Sequence, residues 1–187
     1  MWKPPGAGKK KGTAMIFSYK GKKPQIDDSV FIAPSADVIG RVKIGKNSSV
    51  WFNATVRADV DDVIIGENTN IQDNCCLHQS EGIPLVIGDN VTVGHSATLH
   101  SCTIDNNTLI GMGATVLDGA HIGKGSVVAA GSVVLERKSF PDFSLIGGVP
   151  AKILRQLPGD TLDKLYHHAQ IYVALSAEYK DEIKTIK

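Results

Sequence analysis

An aliphatic residue recurring at every sixth position is the feature that most constrains how this chain can fold. The anchors are Ile32, Val38, Ile44, Val50 and Val56, then Ile65, Ile71 and Leu77, then Ile87, Val93 and Leu99. They continue as Ile104, Ile110, Val116, Ile122, Val128 and Val134. Four places after an anchor the residue is usually small, as at Ala36, Ala54, Cys75, Ala97, Thr103, Ala114 and Ser126. An amphipathic helix repeats near 3.6 and a half-buried strand at 2, so neither gives a period of six. A parallel β-helix does, with a short strand on each flat side, a bulky aliphatic inside and a small residue where the corner turns.

Three sides make one coil of about eighteen residues. The corner signals count the coils independently. Gly45-Lys46-Asn47, Gly66-Glu67-Asn68, Gly88-Asp89-Asn90, Asp105-Asn106-Asn107 and Gly123-Lys124-Gly125 recur at separations of 21, 22, 17 and 18. Asn and Gly tolerate the left-handed backbone that a tight corner demands. The pattern resembles that of left-handed β-helix proteins, and the handedness is taken from that resemblance. Departures from eighteen locate insertions: three residues around Val60-Asp61-Asp62 and four around Glu81-Gly82-Ile83-Pro84, with one residue missing near Thr103. Loops that break a solenoid tend to cluster on one face and to carry function.

The chain divides into a Pro-, Gly- and Lys-rich extension over residues 1–14, expected to be disordered, a β-helix over 15–153, and a linker and helix over 154–187. Asp160 or Thr161 can cap that helix. Leu162, Leu165, Tyr166, Ala169, Tyr172, Val173 and Ala177 fall at helical spacing and predict the face it packs on the solenoid. The fold class is therefore an all-β solenoid, a left-handed parallel β-helix with a C-terminal α-helix along it.

Twenty Lys+Arg against nineteen Asp+Glu give a formal net charge of +1, which argues for neither nucleic acid nor an acidic membrane as partner. No apolar run approaches the ~20 residues of a membrane span, so the expectation is a soluble, cytoplasmic protein with a small-molecule partner. Three cysteines, two adjacent at Cys75 and Cys76, make no disulfide framework. Cys75 holds a small inward position and reads as core; Cys102 reads as an inert thiol.

The repeat gives three histidines a register. His78 follows anchor Leu77 and His100 follows anchor Leu99, a separation of 22 that is one coil plus the four-residue insertion. They stack on adjacent coils about 4.7–4.9 Å apart at the backbone and point outward, because the anchors point inward. Arg57 extends the row one coil earlier. On another side Asp73 stacks with His95, each two residues after an anchor, with Gln72 adjacent. Outward side chains on two sides of a triangular prism diverge, so a single chain is not expected to bring all three imidazoles onto one ion; a threefold trimer solves this, with His78 and His100 from one subunit and His95 from its neighbour. Three neutral imidazoles with an open position are the composition of a catalytic zinc site, where bound water has a pKa near 7. Asp73, Asp59 and Gln72 are candidates to orient the ligands. His167 and His168, on the helix, have no such register and read as structural.

Arg57-Ala58-Asp59, Asn70-Ile71-Gln72-Asp73, His78, Gly94-His95 and Leu99-His100 together resemble the gamma-class carbonic anhydrase family, over nearly everything from Met15 to the C-terminal helix. The resemblance implies a homotrimer with zinc, or iron, between subunits on His78, His95 and His100. It implies Gln72 hydrogen-bonding the bound hydroxide or bicarbonate, Arg57 and Asp59 pairing across the interface, and Asn70 supporting the site. The reaction implied is reversible hydration of carbon dioxide to bicarbonate. One departure stands out: where well-known members place a glutamate after the arginine-x-aspartate motif, this chain has Val60, which cannot carry a proton. Glu81 matches a second glutamate of the family and is the candidate for general acid–base work. Two other readings share the fold, a hexapeptide acyltransferase using coenzyme A and a catalytically weak metal-binding scaffold subunit. The ending Ile146-Gly147-Gly148-Val149-Pro150-Ala151-Lys152 occurs in both enzyme classes and does not discriminate; three registered histidines favour the anhydrase.

Overall fold

The computed structural model describes residues 15–183 and shows the left-handed parallel β-helix that the period of six calls for, with one helix behind it among the described residues. The expected disorder of residues 1–14 lies outside the described residues. Each anchor stacks on its equivalent one coil away: Val50 pairs with Ile71, Ile71 with Val93, Leu77 with Leu99 and Ile104 with Ile122. All anchors from Val38 to Val134 are buried. Ile32 is only partly so, because Phe31–Ile32 ends its sheet and no strand among the described residues lies beneath it. Burying such a side chain stabilises by roughly 1.5–3 kcal/mol, which is how strands of two or three residues persist.

A first face carries the strands from Phe31–Ile32 to Ser144–Gly148. A second runs from Met15–Phe17 to Val133–Val134, and a third from Gln25–Ile26 to Ser139–Phe140. The expected corner triplets close on left-handed residues between the third and first faces: Asn47, Asn68, Asn90, Asn107 and Gly125, with φ from 54° to 68°. Asn47 donates to Asn68 and Asn68 to Asn90 through their side-chain amides, so the corner is also an asparagine ladder. One assignment shifts. Cys102, not Thr103, takes the small inward position, because the missing residue shortens the corner after Leu99.

Both insertions fall at the corner between the second and third faces, on adjacent coils. Ala58 pairs with Gly40 and Val63 with Val42, so residues 59–62 bulge opposite Arg41 alone. Arg41 clamps the bulge, donating to the Val60 carbonyl at 2.8 Å and pairing with Asp61 at 3.2 Å and Asp62 at 2.8 Å. The other insertion folds as a turn closed by a bridge between Ser80 and Ile83.

The stretch read as a linker starts as a strand. Ala151–Gln156 pairs antiparallel with Ser144–Gly148 and closes the last coil, leaving only a short connection before helix α1, Thr161–Glu182. Asp160 is the N-cap residue, but its carboxylate pairs with Lys164 and makes no capping bond. Leu165, Ala169 and Ser176 are buried, with Tyr172 and Leu175 packed against the core. Tyr166 and Ala177, expected on that face, are exposed instead. The stripe is rotated because Tyr172 and Tyr179 dock on Trp51 edge-to-face at 5.7 and 5.1 Å, an aromatic preference that sets the helix's roll. No helix among the described residues is long and apolar enough to cross a membrane.

Candidate metal centre

The second face carries the histidine row. Strands Cys76–His78 and Thr98–His100 pair in parallel with His78 directly opposite His100. Leu77 and Leu99 point inward and are fully buried, so alternation sends both imidazoles outward. Nδ1 of His78 lies 3.0 Å from Nε2 of His100. The opposite nitrogen of each ring meets a carboxylate: Nε2 of His78 lies 3.0 Å from Asp59, and Nδ1 of His100 lies against Asp118.

Those carboxylates fix the tautomers. Burial pushes the carboxyl of Asp59 up, but hydrogen bonds from His78 and Arg57 outweigh it and hold the group below its ordinary value. Burial likewise pushes Asp118 up, and hydrogen bonds from Ser80 and His100 reverse it. An ionised carboxylate only accepts, so the ring nitrogen facing it is the N–H. With both rings neutral, as metal ligation requires, the two remaining nitrogens are lone pairs that face each other. Such a pair fits a shared cation: imidazoles at 2.0–2.1 Å from a tetrahedral zinc place their nitrogens about 3.3 Å apart. A carboxylate behind each histidine is also the usual support of a metal-bound imidazole.

His95 sits at the other end of the second face, at the corner with the first. Its Nδ1 lies 2.9 Å from Asp73, the partner its register predicts. Among the described residues no three His, Cys, Asp or Glu side chains of one chain converge as a metal site. Gln72 is buried; its Nε2 donates to Asn70 at 3.1 Å and its Oε1 accepts the backbone N–H of His95 at 3.2 Å. Asn70 in turn donates to Thr92 at 3.0 Å. Arg57 pairs with Asp59 of its own chain, so both residues are held beside His78 before any neighbour is considered. Glu81 is exposed at the tip of its turn, and Val60 is exposed on the bulge.

Asp118 is the site residue that the sequence reading passed over. It lies on the next coil, where Leu99 pairs with Val116, but two residues after that anchor, so the rule that stacked the histidines lands on Leu117 instead. Cys75 is buried with its thiol pushed up to about 12 by desolvation, and Cys102 is buried with its thiol pushed higher still. Both are core residues. Tyr166 is exposed, whereas Tyr172 reaches an apolar cleft of about 310 Å³ that Gln72, Thr92, Gly94, Met112 and His168 also line.

The family model described as bacterial transferase hexapeptide (six repeats) matches residues 101–136. A hexapeptide transferase family protein from Anaplasma phagocytophilum superimposes with a TM-score of 0.85 at 43% identity, covering 88% of this chain and 98% of that one. The mitochondrial gamma carbonic anhydrase 2 of Arabidopsis thaliana is 43% identical over 173 residues, 89% of this chain but 62% of the plant protein. The chain thus spans under two thirds of that relative's length. The carbonic anhydrase of Geobacillus kaustophilus is 46% identical over 166 residues, covering 89% of this chain and 91% of the relative. With a hexapeptide solenoid, a carboxylate-backed histidine pair and this identity along almost the whole of a relative, the chain belongs to the gamma-class carbonic anhydrase family.

Proposed function

We propose that this protein hydrates carbon dioxide reversibly to bicarbonate at a metal site shared between subunits of a homotrimer. His78 and His100 of one chain and His95 of its neighbour are the ligands in this reading, with zinc, or iron in its place, as the ion. The observation that carries it is the facing pair of ring nitrogens 3.0 Å apart, each imidazole backed by a carboxylate. When bound, such an ion supplies the Lewis acidity that brings a water's pKa to about 7.

The chain's own groups do the rest. Gln72 has committed one Nε2 hydrogen to Asn70 and keeps the other for a ligand oxygen. The adjoining cleft is apolar and suits a substrate as small and unpolar as carbon dioxide. Arg57, tied to Asp59, adds positive charge where bicarbonate would form. Glu81 is the group placed to pass the proton to solvent, since Val60 has no titratable atom. Asp73 and Asn70 orient His95 and Gln72.

Metal analysis together with stopped-flow hydration, on the wild type and on His100→Ala, tests this. One ion per chain and hydration in the wild type, both lost in the variant, are the expected results. Metal without hydration would point to a scaffold subunit. The names of the matching transferases favour a second reading, acyl transfer from coenzyme A. Transfer from acetyl-CoA by metal-stripped protein would establish that reading over the first. Glu81→Gln is expected to lower kcat roughly 10²-fold at low buffer, with partial rescue by imidazole buffer, as for a lost proton carrier.

A further inference from the structure

The turn bearing Glu81 is fastened to the back of a metal ligand. Ser80 donates its backbone N–H to Ser101 Oγ at 2.6 Å and its hydroxyl to Asp118 Oδ2 at 2.7 Å. The other oxygen of Asp118 accepts Nδ1–H of His100. Just before the turn, Gln79 is fully buried and donates to the Asp61 carbonyl at 2.6 Å, tying this insertion to the other one. The result is one line of polar contacts across four coils, Arg57, Asp59, His78, His100, Asp118 and Ser80, hydrogen-bonded at every step except between the two facing imidazoles.

Two carboxylates thus bracket the imidazole pair, Asp59 from the coil before and Asp118 from the coil after. Remove Asp118, and His100 is free to carry its proton on Nε2, where it would face His78 and occupy the place of an ion. Remove Ser80, and Asp118 loses the donor that holds its second oxygen, while the turn loses its anchor.

We propose that Asp118 and Ser80 are positioning residues: Asp118 fixes the Nδ1–H tautomer of His100, and Ser80 couples the docking of the Glu81 turn to that same carboxylate. The proposal rests on the reading of His78 and His100 as ligands, and its test separates the two. The test begins with metal-free protein, by ¹⁵N NMR of the histidine rings at a pH where they are neutral. His100 is expected to be the Nδ1–H tautomer in the wild type and to lose that preference in Asp118→Asn. Ser80→Ala is expected to speed amide exchange across residues 80–83, and Ser80→Thr to restore it. Zinc alone is then titrated into each protein against a chelator, with circular dichroism confirming the fold. Asp118→Asn is expected to weaken zinc binding roughly 10- to 100-fold, the usual effect of removing the partner behind a ligating histidine. Ser80→Ala is expected to weaken it less, and the double variant to fall short of the sum, as groups in one network do. An unchanged His100 tautomer in Asp118→Asn, or additive losses, would overturn the proposal. A wild type that binds no zinc yet shows the expected tautomers would instead sink the ligand reading and leave the roles of Asp118 and Ser80 standing.

Discussion

At the scale of single residues, Leu99 and Cys75 owe their places to the same rule, that a position in the hexad decides which way a side chain points. Leu99 is fully buried beneath His100, and Leu99→Ala should cost about 2–5 kcal/mol in urea unfolding, since neighbouring coils cannot collapse into the gap. A loss under about 1 kcal/mol would mean the interior is looser than the stacking indicates. Native protein at pH 8 should react with iodoacetamide at Cys76 at most, because Cys75 and Cys102 are buried and their thiols held protonated. Mass spectrometry of the labelled chain reads this, and full labelling appears only in denaturant. The carboxyls of Asp59 and Asp118 are held below the ordinary value of 3.8, so they stabilise the fold above that pH and lose the contribution as pH falls through their lower folded values. Asp118→Asn should therefore flatten the acid limb of the melting-temperature profile below pH about 4, and a profile parallel to wild type would contradict it. The histidine pair was legible because one number, the coil length, relates its members. Asp118 stands one place out of that register, because the coil from Leu99 to Val116 is a residue short, and the count lands on Leu117 instead.

At the scale of elements, legibility followed how far a residue type commits the backbone. Asn47, Asn68, Asn90 and Asn107 announce their corner, since asparagine tolerates a positive φ that most residues avoid. Ser96, Ser101, Arg137 and Phe143 turn corners just as sharply and carry no such signal; only the anchors on either side reveal them. Insertion lengths were readable from the broken count, whereas Arg41 as the clamp on Val60, Asp61 and Asp62 required the fold. Helix α1 shows the limit most clearly. Apolar spacing allowed Tyr166 and Ala177 on the packed side, and the roll was decided by Tyr172 and Tyr179 meeting Trp51 across more than a hundred residues. Trp51→Ala should destabilise by about 3–5 kcal/mol in urea, with loss of the helix's protection from amide exchange before that of the solenoid. Equal loss along the whole chain would show that helix and solenoid unfold as one unit.

At the scale of the whole molecule, the solenoid places His95 with Asp73 at one end of a face and His78 with His100 at the other. A rigid face cannot fold back to join them, so a three-histidine site on this scaffold requires a second copy of the chain. In the proposed trimer, rotation about a threefold axis would present one subunit's His95 to its neighbour's pair at every interface and close the ring with equivalent sites. The most direct measurement is subunit complementation between His95→Ala and His100→Ala. Each variant alone should bind no stoichiometric zinc. Unfolded together and refolded as a one-to-one mixture, they should regain zinc at roughly a quarter of sites, because every mixed trimer has one interface where an intact pair meets an intact His95. Recovery of that fraction, with hydration in proportion, is what the account predicts. Mixed trimers that bind no more zinc than the separate variants would contradict it.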